Sequence, residues 1–281
     1  MNIKDIRVFF EKNRVMRKIF SFLRRIRVIS FVHSIGSFLK KEEQELKKKE
    51  FEQYYENHKK DFQNVIDNLC DEKSVRTYCA VIEYKIGKGN KNLRKNMCFP
   101  QYFLRDIYSL TEDAVFVDGG AYIGDTIDDF IEFTKGKYKK IYAWEPDERN
   151  IERLRKRKEK ISIIDKGMWD NEDVLSFSMT ADGQSKIIEG KEAQIKVSTI
   201  DKEIDEKVSL IKMDIEGAEM KALLGAKRVI RDSHPVLAIC IYHSNDDLWQ
   251  IPLWIKDNFP EYKLYVRAHS DTGAEIVLYA V

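Results

Sequence analysis

Acidic residues close the apolar runs in the C-terminal two-thirds of this 281-residue chain. Asp118 ends "AVFVD" and is followed by "GGAYIGDT", which contains Gly119, Gly120, Tyr122 and Gly124 and finishes on Asp125 and Thr126. Glu145 closes "KIYAWE", Asp165 closes "ISIID", and Asp214 closes "VSLIKMD", with Glu216 two residues further on. "PVLAICIYH" ends on Tyr242 and His243. Ionised carboxylates accept hydrogen bonds from hydroxyl and amino groups, and an imidazole of ordinary pKa, about 6.5, can take up a proton near neutrality. This set suits two tasks: holding a polar ligand that has no phosphate, and removing a proton from a second molecule.

The glycine turn narrows the ligand. A P-loop reads G-x-x-x-x-G-K-[ST]. "GGAYIGDT" matches its glycines and its Thr, but Asp125 stands where the phosphate-binding Lys should be and would repel a triphosphate. A dinucleotide fingerprint needs G-x-G-x-x-G, and neither Gly119 nor Gly120 starts one. Asp118, Gly120 and Gly124 instead give D-x-G-x-x-x-G, a spacing that bends the chain beside a ligand without phosphate. S-adenosylmethionine (SAM), with its ribose, amino-acid end and cationic sulfur, is such a ligand. Glu145 would then accept from the ribose hydroxyls and Asp165 would face the adenine amino group. A bare strand-to-helix turn would explain the glycines alone. It would not explain a carboxylate at each strand end, because buried carboxylates are costly without partners.

These residues need a scaffold that brings strand ends together. From residue 113 onward, short β-branched runs alternate with amphipathic ones. "IGDTIDDFIEF" places Ile123, Ile127, Phe130 and Ile131 on one helical face. Five main strands are expected at 114–119, 140–146, 161–166, 208–214 and 235–243. "GAEMKALLGAKRVIRD" reads as one helix, and "DDLWQIPLWIKDN" as a helix broken or bent near Pro252. "DVLSFSM" and "AQIKVSTI" read as a hairpin-like insert. "YKLYVRAH" and "AEIVLYAV", joined by a short turn, must be antiparallel neighbours. The expected fold is α/β, a seven-stranded, mostly parallel sheet with an antiparallel C-terminal hairpin, preceded by a helical region.

Residues 1–98 are expected to be that helical region, and residues 99–281 the catalytic domain. Residues 1–40 read as a basic amphipathic helix, and about 40–62 as a charged, solvated helix. The uncharged run Val28–Leu39 is too short to span a bilayer. The basic helix is expected to dock on the protein or on a second copy, with an anionic membrane surface as the other candidate. The formal charge of +2, from 49 basic and 47 acidic residues, offers no general attraction to nucleic acid. Four cysteines without C-x-x-C spacing fit a reduced, cytoplasmic protein, located peripherally at the inner membrane face if the basic helix binds lipid.

"FVDGGAYIGDT", "WEPD", "LIKMDIEGAE" and "IYHSNDDLWQIP" together resemble the FkbM-type SAM-dependent methyltransferases, over about residues 99–281. The resemblance implies a Rossmann-like class I methyltransferase fold, SAM as donor, and methyl transfer to oxygen, often on sugar or polyketide hydroxyls. It implies that Asp118, Gly120 and Gly124 form the first SAM motif, that Glu145 is the ribose ligand, that Asp165 lies on the adenine side, and that Asp214 and Glu216 form the fourth-strand motif. Gln101 and Tyr102 in "FPQYF" would cover the cofactor. His243 is the expected base, with Asp214 and Glu216 beside it. No metal is expected, although a divalent ion on Asp214, Glu216 and His243 is the rival arrangement. The competing function is a non-catalytic scaffold of the same fold, recruited through its N-terminal helices.

Overall fold

The computed structural model describes residues 28–179, 185–187 and 193–281, so most of the basic segment 1–40 lies outside the described residues. The chain divides into two units, residues 1–54 and 55–281. The helix α1 runs Val28–Asn57 without the separation expected near residue 40. "LKKEEQ" holds neither proline nor glycine to stop it, and pairs such as Lys47–Glu43 (2.7 Å) support it on the solvated side. No described helix is long and apolar enough to cross a membrane.

In the second unit, α2 (Lys59–Asn68), α3 (Glu72–Lys85) and α4 (Lys91–Asn96) precede the first strand. They belong with the sheet because backbone bonds tie them to its edge: Cys70 N–H donates to Leu264 O (2.9 Å) and Cys98 N–H to Ala268 O (3.0 Å). An uncovered edge strand is a template for unwanted pairing, and these segments cover it. Asp71 caps α3 by accepting from Ser74 N–H (2.6 Å) and also grips the buried Arg267 guanidinium (Oδ2 at 2.6 Å). Burial pushes the Asp71 carboxyl upward, but the bonds from Arg267 and Ser74 outweigh it and bring its pKa down to about 2. A carboxylate depressed on folding contributes stability above its unfolded pKa and loses it as pH falls through the folded one. Acid unfolding is therefore expected to include a component between about pH 4 and pH 2 that disappears in Asp71→Asn, read by circular dichroism. An unchanged acid limb in that variant would refute the assignment.

The main sheet is built from β1 (Val115–Gly119), β2 (Lys140–Trp144), β3 (Ile161–Ile164), β8 (Leu210–Met213), β9 (Val236–Cys240), β10 (Leu264–Ala268) and β11 (Ile276–Ala280). Its order is β10-β11-β9-β8-β1-β2-β3. β11 alone runs against the direction of the other six strands of this sheet. This is the expected Rossmann-like seven-stranded sheet. The chain winds outward from β1 through β2 to β3, then returns to β8 on the other flank of β1. That reversal opens a crevice at the carboxyl ends of β1 and β8, where ligands bind in such sheets. Between β3 and β8, a second sheet of order β4-β7-β5-β6 comprises β4 (Gly167–Met168), β5 (Asp173–Met179), β6 (Ser185–Ile187) and β7 (Ala193–Ser198). Its β5–β7 pair is antiparallel, as the insert pattern predicts.

The remaining helices are α5 (Asp125–Thr134), α6 (Glu148–Leu154), α7 (Ile200–Glu203), α8 (Glu219–Leu224), α9 (Lys227–Ser233) and α10 (Asp247–Asn258). Two differ from expectation. The single helix expected over 217–232 is split into α8 and α9 at Gly225 and Ala226. A Cβ at Gly225 would lie 2.1 Å from Trp169 O, so the backbones touch at the break. Conversely, α10 continues through Pro252. Proline cannot donate to Leu248 O four residues back; the Tyr78 hydroxyl donates to that carbonyl instead (2.7 Å).

Candidate active site

The glycine turn follows β1 directly. Gly120 has φ 75° and a Cβ there would lie 2.1 Å from Asp214 O, so only glycine lets the turn lie against the end of β8. Gly124 (φ 93°) caps α5. Tyr122, between them, adopts φ 47° and is 53% exposed. Tyr102 (64°), Glu216 (57°) and Glu275 (54°) share this left-handed backbone. Four of the six non-glycine residues with positive φ among the described residues thus belong to the segments around this crevice. Such conformations cost energy and persist where surrounding structure enforces them, often at functional sites.

Asp118, expected in the first SAM motif, lies beneath the glycine turn. It is fully buried. β1–β8 register sets it opposite Lys212, and Lys212 Nζ lies 3.1 Å from Asp118 Oδ1. The same ammonium donates to Gly119 O and Gly120 O, each at 3.0 Å. Burial opposes the charge on Lys212, but Asp118 and then Asp214 outweigh it and raise its pKa. The pair therefore holds the glycine turn from beneath. Sequence reasoning overlooked Lys212; the signal was a lysine inside the apolar run "LIKM".

Glu145 is also buried, yet stands at the crevice: Oε2 accepts from Tyr122 N–H (2.9 Å) and Oε1 from Asp147 N–H (2.8 Å). Burial raises its pKa, and these bonds work against that rise. Each oxygen keeps further acceptor capacity. Asp165, just beyond β3, is exposed, as is Asp125; Thr126 is buried in the first turn of α5.

On the other flank, the Tyr102 hydroxyl donates to Asp214 Oδ2 (2.9 Å). Tyr102 is held in turn: its N–H donates to the Tyr279 hydroxyl (3.0 Å) and its carbonyl accepts from the Tyr108 hydroxyl (2.7 Å). His269 stands behind Tyr279, with Nε2 3.0 Å from that hydroxyl and Nδ1 2.7 Å from Cys98 O. Burial lowers its pKa to about 4, so it is a neutral prop at physiological pH. The Tyr242 hydroxyl lies 3.2 Å from Asp214 Oδ1 and 3.4 Å from Glu275 Oε1, and Gln101 donates to Glu275 Oε2. Glu275, from the β10–β11 turn, was absent from the sequence-derived set because nothing beside it forms a motif.

His243, just past β9, faces this cluster. Its Nε2 lies 3.4 Å from Asp214 Oδ1 and 3.7 Å from Glu216 Oε2. Its Nδ1 lies 2.9 Å from Oε1 of the fully buried Glu219. Burial lowers the imidazole pKa, but Glu219, then Asp214 and Glu216, outweigh it and raise it overall. The structure thus brings Asp214, Glu216 and His243 together as the sequence anticipated, beside the glycine turn and Tyr102. Asp214, Glu219 and His243 offer ligand atoms within 4.8 Å of one another, a spacing compatible with a cation.

A family model for the methyltransferase FkbM domain matches residues 118–271, more than half of the chain. Among solved structures, methyltransferase FkbM from Methylobacillus flagellatus KT is 28% identical, with a TM-score of 0.70 over 81% of this chain and 60% of that one. The chain therefore spans less than two thirds of that protein. An rRNA methylase from Streptococcus thermophilus (14% identity, TM-score 0.39, 61% of this chain and 88% of that one) is similar only at a lower level. So is a SAM dependent methyltransferase from Aquifex aeolicus (13%, 0.36, 62% and 85%). No curated protein matches. With the β1 glycine turn, Glu145 and the Asp214–Glu216 segment all inside the matched span, the chain belongs to the methyltransferase FkbM domain family.

Proposed function

We propose that this protein is a SAM-dependent methyltransferase that methylates a hydroxyl of a sugar, glycan or related small molecule. The observation that carries the reading is His243 Nε2 standing 3.4 Å from Asp214 beside a glycine turn without a phosphate-binding lysine. The donor set suits SAM. Glu145 would hold the ribose, Gly119 and Gly120 would let the ligand approach the backbone, and Asp214 and Glu216 would face its cationic end. When bound, SAM supplies a methyl group activated on a positively charged sulfur.

The protein's own work is then positioning and proton removal. Holding the acceptor oxygen in line with the methyl carbon supplies much of the acceleration. His243 Nε2 takes the hydroxyl proton, and Asp214 and Glu216 stabilise the imidazolium that results. Tyr102 and Tyr242 fix Asp214 for that task. Carboxylates around the crevice and the exposed ring of Tyr122 in the glycine turn suit a hydroxylated acceptor with an apolar face. A non-catalytic scaffold of the same fold would bind the cofactor without turning it over.

Calorimetric titration is expected to show binding of SAM and of its demethylated product, and none of NAD or ATP. Glu145→Ala should weaken SAM binding by about 1.5–3 kcal/mol, roughly ten- to a hundredfold in Kd, since it removes hydrogen bonds to a charged acceptor. Comparable affinity for NAD or ATP would reject the cofactor assignment.

A further inference from the structure

Among the described residues, Glu219 is the one fully buried carboxylate in contact with His243. It is the last residue of "DIEGAE" and opens α8. Its Oε1 accepts from Ile215 N–H (2.8 Å), which pins the carboxylate to the turn after β8. Gly217 (φ 96°) completes that turn, and a Cβ there would lie 3.8 Å from His243 Cβ. Turn, carboxylate and imidazole therefore pack as one body. The two ring nitrogens of His243 meet different surroundings. Nδ1 is buried 2.9 Å from Oε1 of buried Glu219 but is not aligned for a hydrogen bond, so the contact is a close charge pair. Nε2 faces Asp214 and the exposed Glu216.

We propose that Glu219 is a positioning residue that keeps the proton on His243 Nδ1 and so leaves the Nε2 lone pair directed at the acceptor hydroxyl. This rests on the methyltransferase reading above. The neutral imidazole has two tautomers, and only the Nδ1–H form presents a base at Nε2. The buried carboxylate favours that form because a bare Nδ1 would set two acceptors against each other at 2.9 Å in a dry environment, whereas the carboxylates at Nε2 are more exposed and stand farther off, at 3.4 and 3.7 Å. In the reaction the hydroxyl proton passes to Nε2 as the oxygen bonds to the methyl carbon and the carbon–sulfur electron pair returns to sulfur. The imidazolium so formed lies between Glu219 on one side and Asp214 and Glu216 on the other. The other titratable groups around it are Tyr242, whose ring centroid is 4.1 Å from that of His243, Asp247 at the start of α10, and Glu275 across the crevice. None of these three makes an ion pair with Nδ1 among the described contacts.

The test is nitrogen NMR of the full chain labelled at its five histidines, with His243→Asn assigning the signal. In the wild type, neutral His243 is expected as the Nδ1–H tautomer. In Glu219→Gln the titration midpoint should move to lower pH and the tautomers should mix, while SAM binding by calorimetry stays intact. A wild-type Nε2–H tautomer overturns the proposal without recourse to any variant, so a misfolded Glu219→Gln cannot shelter it. An unmoved midpoint in a folded Glu219→Gln also overturns it. Stoichiometric Mn²⁺ binding that broadens the wild-type His243 signal, and is lost in Glu219→Gln, would replace positioning by cation binding. Failure of the methyltransferase reading would show separately, as absent SAM binding with the tautomer still fixed.

Discussion

Replacing His243 with Ala is expected to lower methyl transfer by roughly 10²–10⁴-fold, the usual worth of a positioned base, with SAM affinity almost unchanged. The side chain is 10% exposed and sits among Asp214, Glu216 and Glu219. Its truncation removes the proton acceptor but touches neither the glycine turn's ties to Lys212 nor Glu145. The measurement is transfer of a radiolabelled methyl group to a surface-glycan extract, alongside calorimetry with SAM. His234→Asn is the comparison. His234 lies at the C-terminal end of α9 with φ 46°, a backbone conformation that asparagine tolerates, and pairs only with Glu261 in its ion-pair contacts. It should retain full transfer. Near-wild-type turnover in His243→Ala would shift the base role to Asp214 or Glu216. The raised imidazole pKa also sets the direction of the pH profile. Activity should rise as pH increases through the His243 pKa, because the proton must leave before the ring can accept another.

The largest loss of stability should come from Lys212→Met. Lys212 and Asp118 have side chains that are 2% and 0% exposed, and removing the cation leaves a carboxylate buried without a counter-charge. Breaking such a pair costs about 3–5 kcal/mol, whereas replacing both partners is often close to neutral. Urea unfolding of Lys212→Met should therefore show a much lower midpoint, and Asp118→Asn/Lys212→Met should recover much of the loss. Equal midpoints for the single and double variants would mean that the pairing is not the source. The single variant also frees Gly119 O and Gly120 O from Nζ. SAM affinity should fall with stability, a coupling that His243→Ala lacks.

The sheet was legible in the sequence because each of its strands is a short β-branched run with a helix or turn signal behind it. Alternation of the two periodicities allows few windings. The glycine turn was legible for a local reason: Gly120 and Gly124 take positive φ, which other residues adopt at a cost. Asp214, Glu216 and His243 could be placed at one site because a parallel sheet gathers its carboxyl strand ends along one edge. Register between strands cannot be read from either strand alone, and it decided the rest. The alignment of Asp118 with Lys212 across the β1–β8 pair makes it a buried counter-charge, which neither strand shows by itself. Glu219 and Glu275 meet His243 and Tyr242 only because α8 and the β10–β11 turn fold onto the same edge. Pro252 announced a break that Tyr78, 174 positions earlier, removed by satisfying the Leu248 carbonyl. Local periodicity and backbone preference thus determined the elements and the edge on which the chemistry lies. Which carboxylate lines the crevice, which meets a lysine and which a histidine depended on contacts between residues far apart in the chain, and only the tertiary structure decided them.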